Sequence, residues 1–199
     1  GNLIDANNCS NNRIGIFANH IIFETIVNND CSHSQEQAIL IQGLIAFFNI
    51  TNNDCSFAGM DAIRIDSSYN VSYNIISEND CRQNNGSGIN ISTSRAILYN
   101  NIIGNDCRDS PFDLIYAEGA NFSHNLFQDN ILSDAPISHK LLADDGTYES
   151  TTFQGNDLRR SSSYGIYLQG TLNQTRVLDN NISDVALDAT LRAAAPYQR

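Results

Sequence analysis

The residues best suited to chemistry lie around one short alternating run, Asp61-Ala62-Ile63-Arg64-Ile65-Asp66. The alternation predicts a half-buried β-strand with Arg64 and Asp66 on its outer face and Asp61 at its start. An aspartate base beside a cation suits proton abstraction next to a carboxylate, whereas two carboxylates about 5–9.5 Å apart suit glycoside hydrolysis. An Arg–Asp pair on an exposed strand is more often only a solvated ion pair, so we assign no reaction from the sequence.

Other polar residues fall at related positions. Asn90 and Ser92 follow Arg64 and Asp66 by 26 residues, and the turn-rich segments 82–86 and 108–111 lead into later strands. Asp144-Asp145-Gly146 predicts a turn. The candidate substrate-binding residues are Asp61, Arg64, Asp66, Arg82, Asn90, Arg108, Asp109 and Asp113.

A repeat that runs through the chain carries these residues. Asn-Asp-Cys recurs after the variant Asn7-Asn8-Cys9, with steps of 22, 24, 26 and 26 residues between cysteines. The cysteine column is Cys9, Cys31, Cys55, Cys81 and Cys107, continued by Leu132, Leu158 and Ile182. The asparagine column is Asn7, Asn29, Asn53, Asn79, Asn105, Asn130, Asn156 and Asn180. Such a step is typical of a stacked-repeat architecture.

The period and the residue types predict the fold. A unit of 22–26 residues with short alternating runs and no helical period cannot bury its apolar face alone, so units must stack. We predict an all-β parallel β-helix of about eight coils, with neighbouring coils about 4.8 Å apart. Over essentially the whole chain, Ile-x-x-Asn-x-Cys/Leu/Ile followed by Gly-Ile-x-Ile resembles the right-handed parallel β-helix of the pectate-lyase-like superfamily.

The resemblance implies a position for each candidate residue. The Gly-Ile-x-Ile strand would form the floor of a polysaccharide groove, which would carry Arg64, Asp66, Asn90 and Ser92. The loops beside this floor would carry Arg82, Arg108, Asp109 and Asp113. The superfamily includes lyases, hydrolases, epimerases and non-catalytic phage and adhesin parts, so the fold does not decide the activity.

The repeated columns have structural explanations. Leucine and isoleucine replace cysteine in later repeats, which predicts reduced, buried thiols rather than disulfides or a zinc site. Stacked asparagine amides can bond one another and the backbone of the turn. A further column eight residues before the cysteines predicts an aromatic stack, which serves packing more often than it forms a platform for sugars: Phe23, Phe47, Tyr73 and Tyr99.

An aspartate follows the ladder asparagine in five repeats, namely Asp30, Asp54, Asp80, Asp106 and Asp157. One interpretation is that each aspartate accepts hydrogen bonds from turn amides and is partly neutralised by Arg82, Arg108 or Arg159. The alternative is a calcium-binding edge, since calcium takes carboxylate and carbonyl oxygens. The sequence indicates no other cofactor.

The amino-acid composition limits the classes of partner that the protein is expected to bind. A net charge of −11 without a basic stripe argues against nucleic acid, and no apolar run of about twenty residues predicts a membrane span. We expect residues 1–199 to form one domain. The chain starts without Met inside a coil and stops after a strand-like run, so we expect a fragment of a longer solenoid, cut at both ends.

Three functions remain open. The first is a carbohydrate-directed domain that binds or processes a polysaccharide along one face, in an extracellular, cell-surface or virion protein. The second is a non-catalytic solenoid of a phage tail appendage or surface adhesin, as a homotrimer or joined to flanking domains. The third is a polysaccharide lyase or epimerase, which predicts acidic and basic residues that converge on one point of the groove.

Overall fold

The computed structural model describes residues 1–112, 115–118, 121–134, 141–160, 165–183 and 192–193. These residues form twenty strands and no helix. In chain order the strands are β1 (Leu3–Asp5), β2 (Ile16–Asn19), β3 (Thr25–Val27), β4 (Ile39–Gln42), β5 (Ile45–Ala46), β6 (Asn49–Thr51), β7 (Ile63–Ser67), β8 (Val71–Ser72), β9 (Ile75–Ser77), β10 (Ile89–Thr93), β11 (Ala96–Leu98), β12 (Asn101–Ile103), β13 (Ile115–Glu118), β14 (Asn121–Ser123), β15 (Leu126–Gln128), β16 (Leu141–Glu149), β17 (Thr152–Gln154), β18 (Ile166–Asn173), β19 (Arg176–Leu178) and β20 (Arg192–Ala193).

Each strand pairs in parallel with its equivalent one repeat away, which confirms the predicted parallel β-helix. Sheet 1 has the order β1-β3-β6-β9-β12-β15-β17-β19. Sheet 2 has a first arm, β2-β4-β7-β10-β13, and a second arm, β5-β8-β11-β14, and β16 pairs with both arms. The predicted number of about eight coils is slightly too high, because within the described residues only the six turns from β4–β6 to β18–β19 are complete.

The core consists of the inward residues of each alternating strand. Ile63 and Ile65 of β7 are buried, and they pair with the buried Ile89 and Ile91 of β10 in the next coil. Farther along the solenoid, aromatic rings replace isoleucine in this interior. Phe127 stacks on Phe153 with ring centroids 4.9 Å apart, because equivalent residues of parallel strands repeat at this spacing.

The asparagine ladder links the coils through buried amides. Asn105 Oδ1 accepts hydrogen bonds from Asn79 N at 3.1 Å and from Asn79 Nδ2 at 3.0 Å. Asn105 Nδ2 in turn donates to Asn130 Oδ1 at 3.0 Å and to the Ile76 carbonyl at 2.9 Å. Each turn therefore satisfies its polar groups in the adjacent coil, as a buried backbone requires.

A second asparagine ladder at another corner was not predicted. Asn74 Nδ2 donates to Asn100 Oδ1 at 2.8 Å, and Asn100 Nδ2 donates to Asn125 Oδ1 at 3.1 Å. These three residues precede ladder asparagines Asn79, Asn105 and Asn130 by five positions each, so the spacing carried the signal.

Cysteines 31, 55, 81 and 107 are buried, Cys9 is half-buried, and all five are free thiols. Burial raises the pKa of the Cys31, Cys55 and Cys81 thiols above its ordinary value. Neighbouring thiols raise the pKa of Cys31 and Cys55 further, whereas for Cys81 the hydrogen bond with Cys107 raises the pKa and that with Cys55 lowers it. Because the thiolate is the reactive form, these side chains should be chemically inert in the folded protein.

This burial makes thiol accessibility a test of the ladder. With a disulfide reagent at pH 8, we expect rapid reaction of Cys9 alone in the folded protein and of all five thiols in denaturant. The measurement is the number of equivalents released against time, with Cys9→Ser as the control that removes the fast phase. Rapid release of two or more equivalents from the folded protein would contradict the buried column.

Candidate functional site

An open cleft of about 490 Å³ lies on the outer face of the first arm, where its strands begin. The floor comes from outward residues of neighbouring strands, Arg64 of β7, Asn90 of β10 and Tyr116 of β13, which are in direct register. The walls come from the segments that precede these strands, and their lining residues are Gln37, Gly59, Met60, Asp61, Asn85, Gly86, Ser87 and Phe112.

Asp61 is the buried polar centre of this cleft. Its Oδ1 accepts a hydrogen bond from the Ser87 backbone N–H at 2.7 Å, and its Oδ2 accepts one from Asn90 Nδ2 at 3.1 Å. Burial raises the pKa of the Asp61 carboxyl above its ordinary value, although the Ser87 N–H and the Arg64 charge act in the opposite direction. The carboxyl therefore fixes the loop of the next coil and shapes the cleft.

Arg64 lies between two carboxylates. Its Nε donates to Asp66 Oδ2 at 2.9 Å, and its Nη1 lies 3.4 Å from Asp61 Oδ2. The bond to Asp66 is the main cause of the raised pKa of the guanidinium. One cation is thus shared by two anions, and the cleft has no excess positive charge among its lining residues.

Four of the eight candidate residues, Asp61, Arg64, Asp66 and Asn90, meet in this way, and three others in the described part of the chain do not. Arg82 and Arg108 each form a two-pronged pair with the aspartate two residues earlier, Asp80 or Asp106, and neither lines the cleft. Asp109 is exposed in a turn with φ of 61°, and it does not line the cleft either. Asp113 lies outside the described residues.

The two aromatic contributors to the cleft were not among the candidate residues predicted from the sequence. Tyr116 follows Asn90 by one repeat of 26 residues, so the register contained a signal for it. Phe112 is 51% exposed and stands five residues after Cys107, just as the cleft residue Gly86 stands five residues after Cys81. The spacing therefore contained a signal for its place, but the residue types at this position differ between repeats and did not mark it.

The aspartate column matches the turn-capping interpretation in its geometry. Asp30 Oδ1 accepts hydrogen bonds from Ser32 N at 3.0 Å and Ser32 Oγ at 2.7 Å, and Asp54 repeats this with its own serine. Within the described residues, no group of three or more His, Cys, Asp or Glu side chains is arranged to hold a metal ion. A calcium-binding edge stays a prediction.

An exposed aromatic ridge follows another corner, formed by Phe23, Phe47, Tyr73, Tyr99 and His124. The predicted stack is thereby confirmed and extended by one histidine. Neighbouring rings lie 4.7 to 4.9 Å apart, and Tyr73 and Tyr99 are parallel within 1°. Because each interior ring covers the faces of its neighbours, the ridge offers ring edges and not faces, which suits packing better than sugar stacking.

The stacked parallel strands, with an open cleft on the outer face of the first arm, define a parallel β-helix protein. The sequence matches the family described as right handed beta helix region over residues 15–182, and the chain belongs to that family. Residues 169–199 also match the AAPxQ domain, and Ala194-Ala195-Pro196-Tyr197-Gln198 fits that name in a segment outside the described residues. Neither a curated protein nor a solved structure matches the chain significantly. Among the described residues, no helix has the length and hydrophobicity needed to cross a membrane.

Proposed function

We propose that this protein binds a glycan in the cleft around Asp61, Arg64 and Asn90. The observation that carries the proposal is the combination of these polar groups with the aromatic side chains of Phe112 and Tyr116 in one open recess. Apolar and aromatic walls with a few fixed polar groups are typical of small-molecule sites, which usually measure about 300–1,000 Å³. The ring of Phe112 offers an apolar surface for the C–H face of a sugar.

The charge of the cleft favours a neutral glycan. Arg64 is already bonded to Asp66 and Asp61, so it has little left to offer a substrate carboxylate. The whole chain carries a net charge of −11, which repels acidic polymers at low ionic strength. Hydroxyl groups, by contrast, can donate to carboxylates and accept from amides without placing a further charge in the cleft.

The direction of the sheet favours a polymer over a single sugar. The register of β7, β10 and β13 places Arg64, Asn90 and Tyr116 side by side across three coils. A chain of sugars that lies along the solenoid axis would meet one of these side chains about every 4.8 Å. The proposal therefore concerns a polysaccharide that lies across the strands of the first arm.

The test is calorimetric binding to a panel of neutral and acidic oligosaccharides, with and without calcium. Replacing Phe112 by alanine should weaken binding of the neutral ligand about tenfold, because one aromatic contact is lost. The matched control is Phe23→Ala, since Phe23 is 62% exposed and lies on the aromatic ridge. Equal affinities of the native protein and the Phe112→Ala variant would contradict the proposal, as would absence of binding.

The same samples distinguish binding from catalysis. The mixtures are assayed for new reducing or unsaturated sugar ends. If the unsubstituted protein generates such ends and the Asp66→Ala variant does not, the cleft is an active site. An acidic oligosaccharide that binds more tightly than its neutral counterpart, with an affinity that falls in the Phe112→Ala variant, would contradict the charge argument.

A further inference from the structure

Among the arginines whose side chains the structure describes, two differ from the others in having no carboxylate partner within the described residues. Six of the eight arginines whose side chains the structure describes form ion pairs, namely Arg13, Arg64, Arg82, Arg108, Arg159 and Arg160. Arg95 and Arg176 have no carboxylate within ion-pair distance in the described part of the chain, and both are exposed. In a chain of net charge −11, an uncompensated guanidinium is a local exception.

Arg95 lines a second recess, of about 400 Å³, at the corner between the two arms of sheet 2. We call it the corner recess, and its lining residues are Leu44, Ala46, Tyr69, Asn70, Ser72 and Arg95. None of these residues is acidic, and Tyr69 is 51% exposed. Arg176 lies on β19 and does not line this recess.

Hydrogen bonds between successive coils hold the walls of the corner recess in place. Ser67 Oγ donates to the Gly43 carbonyl at 2.7 Å, and Thr93 Oγ1 donates to the Tyr69 carbonyl at 2.6 Å. Asn70 Oδ1 also accepts a hydrogen bond from the Ala96 N–H at 3.3 Å. Three consecutive corners are therefore linked, so the recess exists before any ligand arrives, which lowers the entropic cost of binding.

We propose that the corner recess binds an oxyanion carried on a saturated ring, as in a uronic acid or a sulfated sugar. The planar guanidinium of Arg95 can hold a carboxylate or sulfate through two parallel N–H···O bonds. Leu44 and Tyr69 supply an apolar wall for the ring, and Asn70 and Ser72 supply polar groups for its hydroxyls. The inference does not depend on the cleft, because the two recesses share no lining residue.

The experiment is a chemical-shift titration of the full protein with glucuronic acid, with a sulfated glucose and with neutral glucose as probes. In the native protein, we expect the acidic probes to shift the amide signals of Tyr69, Asn70 and Arg95 and neutral glucose to leave them unchanged. Replacing Arg95 by glutamine should weaken binding of the acidic probes about tenfold or more, since a charge-assisted bidentate contact is lost. Raising the salt concentration to about 1 M should weaken it as well, because the site is exposed.

The matched control is Arg176→Gln, which removes an equally unpaired and exposed arginine outside the corner recess. Equal weakening in both variants would show a general charge effect and overturn the proposal. Unchanged binding in Arg95→Gln, or no acidic binding to the native protein, would overturn it as well. Binding of the carboxylate probe alone, or of the sulfate probe alone, would support the proposal and identify the oxyanion.

Discussion

Replacing Asn105 by alanine is expected to lower the free energy of unfolding by about 3–5 kcal/mol, because each buried group that loses its partner costs about 1–3 kcal/mol. Asn105 is fully buried, and its amide bonds to three neighbouring coil positions. The Asn79 N–H donates to Asn105 Oδ1, and in the variant this buried donor would face only a methyl group. The measurement is urea unfolding followed by circular dichroism.

The control for this variant is Asn121→Ala. Asn121 is exposed at the start of β14, so its loss should change the unfolding free energy by less than about 0.5 kcal/mol. If both alanine variants unfold at the same urea concentration as the unsubstituted protein, the ladder does not stabilise the solenoid. Replacement of Asn105 by aspartate should also destabilise, because a carboxylate cannot donate to the Ile76 carbonyl that Asn105 Nδ2 now reaches at 2.9 Å.

Replacing Phe127 by alanine is expected to have an effect of similar size, about 3–5 kcal/mol. Phe127 is fully buried in sheet 1 and stacks on Phe153 with an interplanar angle of 16°. The variant would leave a cavity in an interior that close packing otherwise fills, so both transfer free energy and ring contacts are lost. Urea unfolding again gives the difference, and Phe127→Leu should lose less because it keeps most of the volume.

Phe17→Ala is the surface counterpart of this change. Phe17 lies on the outer side of β2 and is 55% exposed, so most of its ring contacts solvent in the folded protein as in the unfolded one. We expect its loss to cost less than about 1 kcal/mol. Equal destabilisation by the two variants would contradict the assignment of Phe127 to the core.

Much of the fold was predictable because the repeat imposes it. The spacing of Asn53, Asn79 and Asn105 predicted the stacked turns, and alternation predicted β7 and β10. The turn predicted at Asp144-Asp145-Gly146 was wrong, since these residues lie within β16. Strand β16 pairs with β18 on both sides of a register shift between Ala143 and Gly146. Pairing with neighbouring strands therefore outweighs the local preference of these residues for a turn.

The candidate site was predictable only in part. Asp61, Arg64, Asp66 and Asn90 share one strand or one register, and strand geometry brings such residues together. The positions of Arg82 and Arg108 depend on which carboxylate each side chain reaches, and their nearest aspartates hold them in their own turns. Phe112 occupies the position that Gly86 and Met60 hold in the preceding coils, so the repeat fixes its place, but a position filled by phenylalanine, glycine and methionine in turn shows no pattern of residue type that would indicate a site.

The 26-residue step that recurs between coils has a consequence for descent as well as for stability. The amide bonds from Asn53 to Asn79 and from Asn79 to Asn105 both span 26 residues, so both coil boundaries present the same chemistry. Duplication or loss of a 26-residue segment by recombination in the gene therefore rejoins surfaces that already fit. An insertion of one residue within a strand, in contrast, would turn inward side chains outward. The length of such a solenoid can thus change in evolution by whole turns, independently of the ligand-binding residues on any one turn.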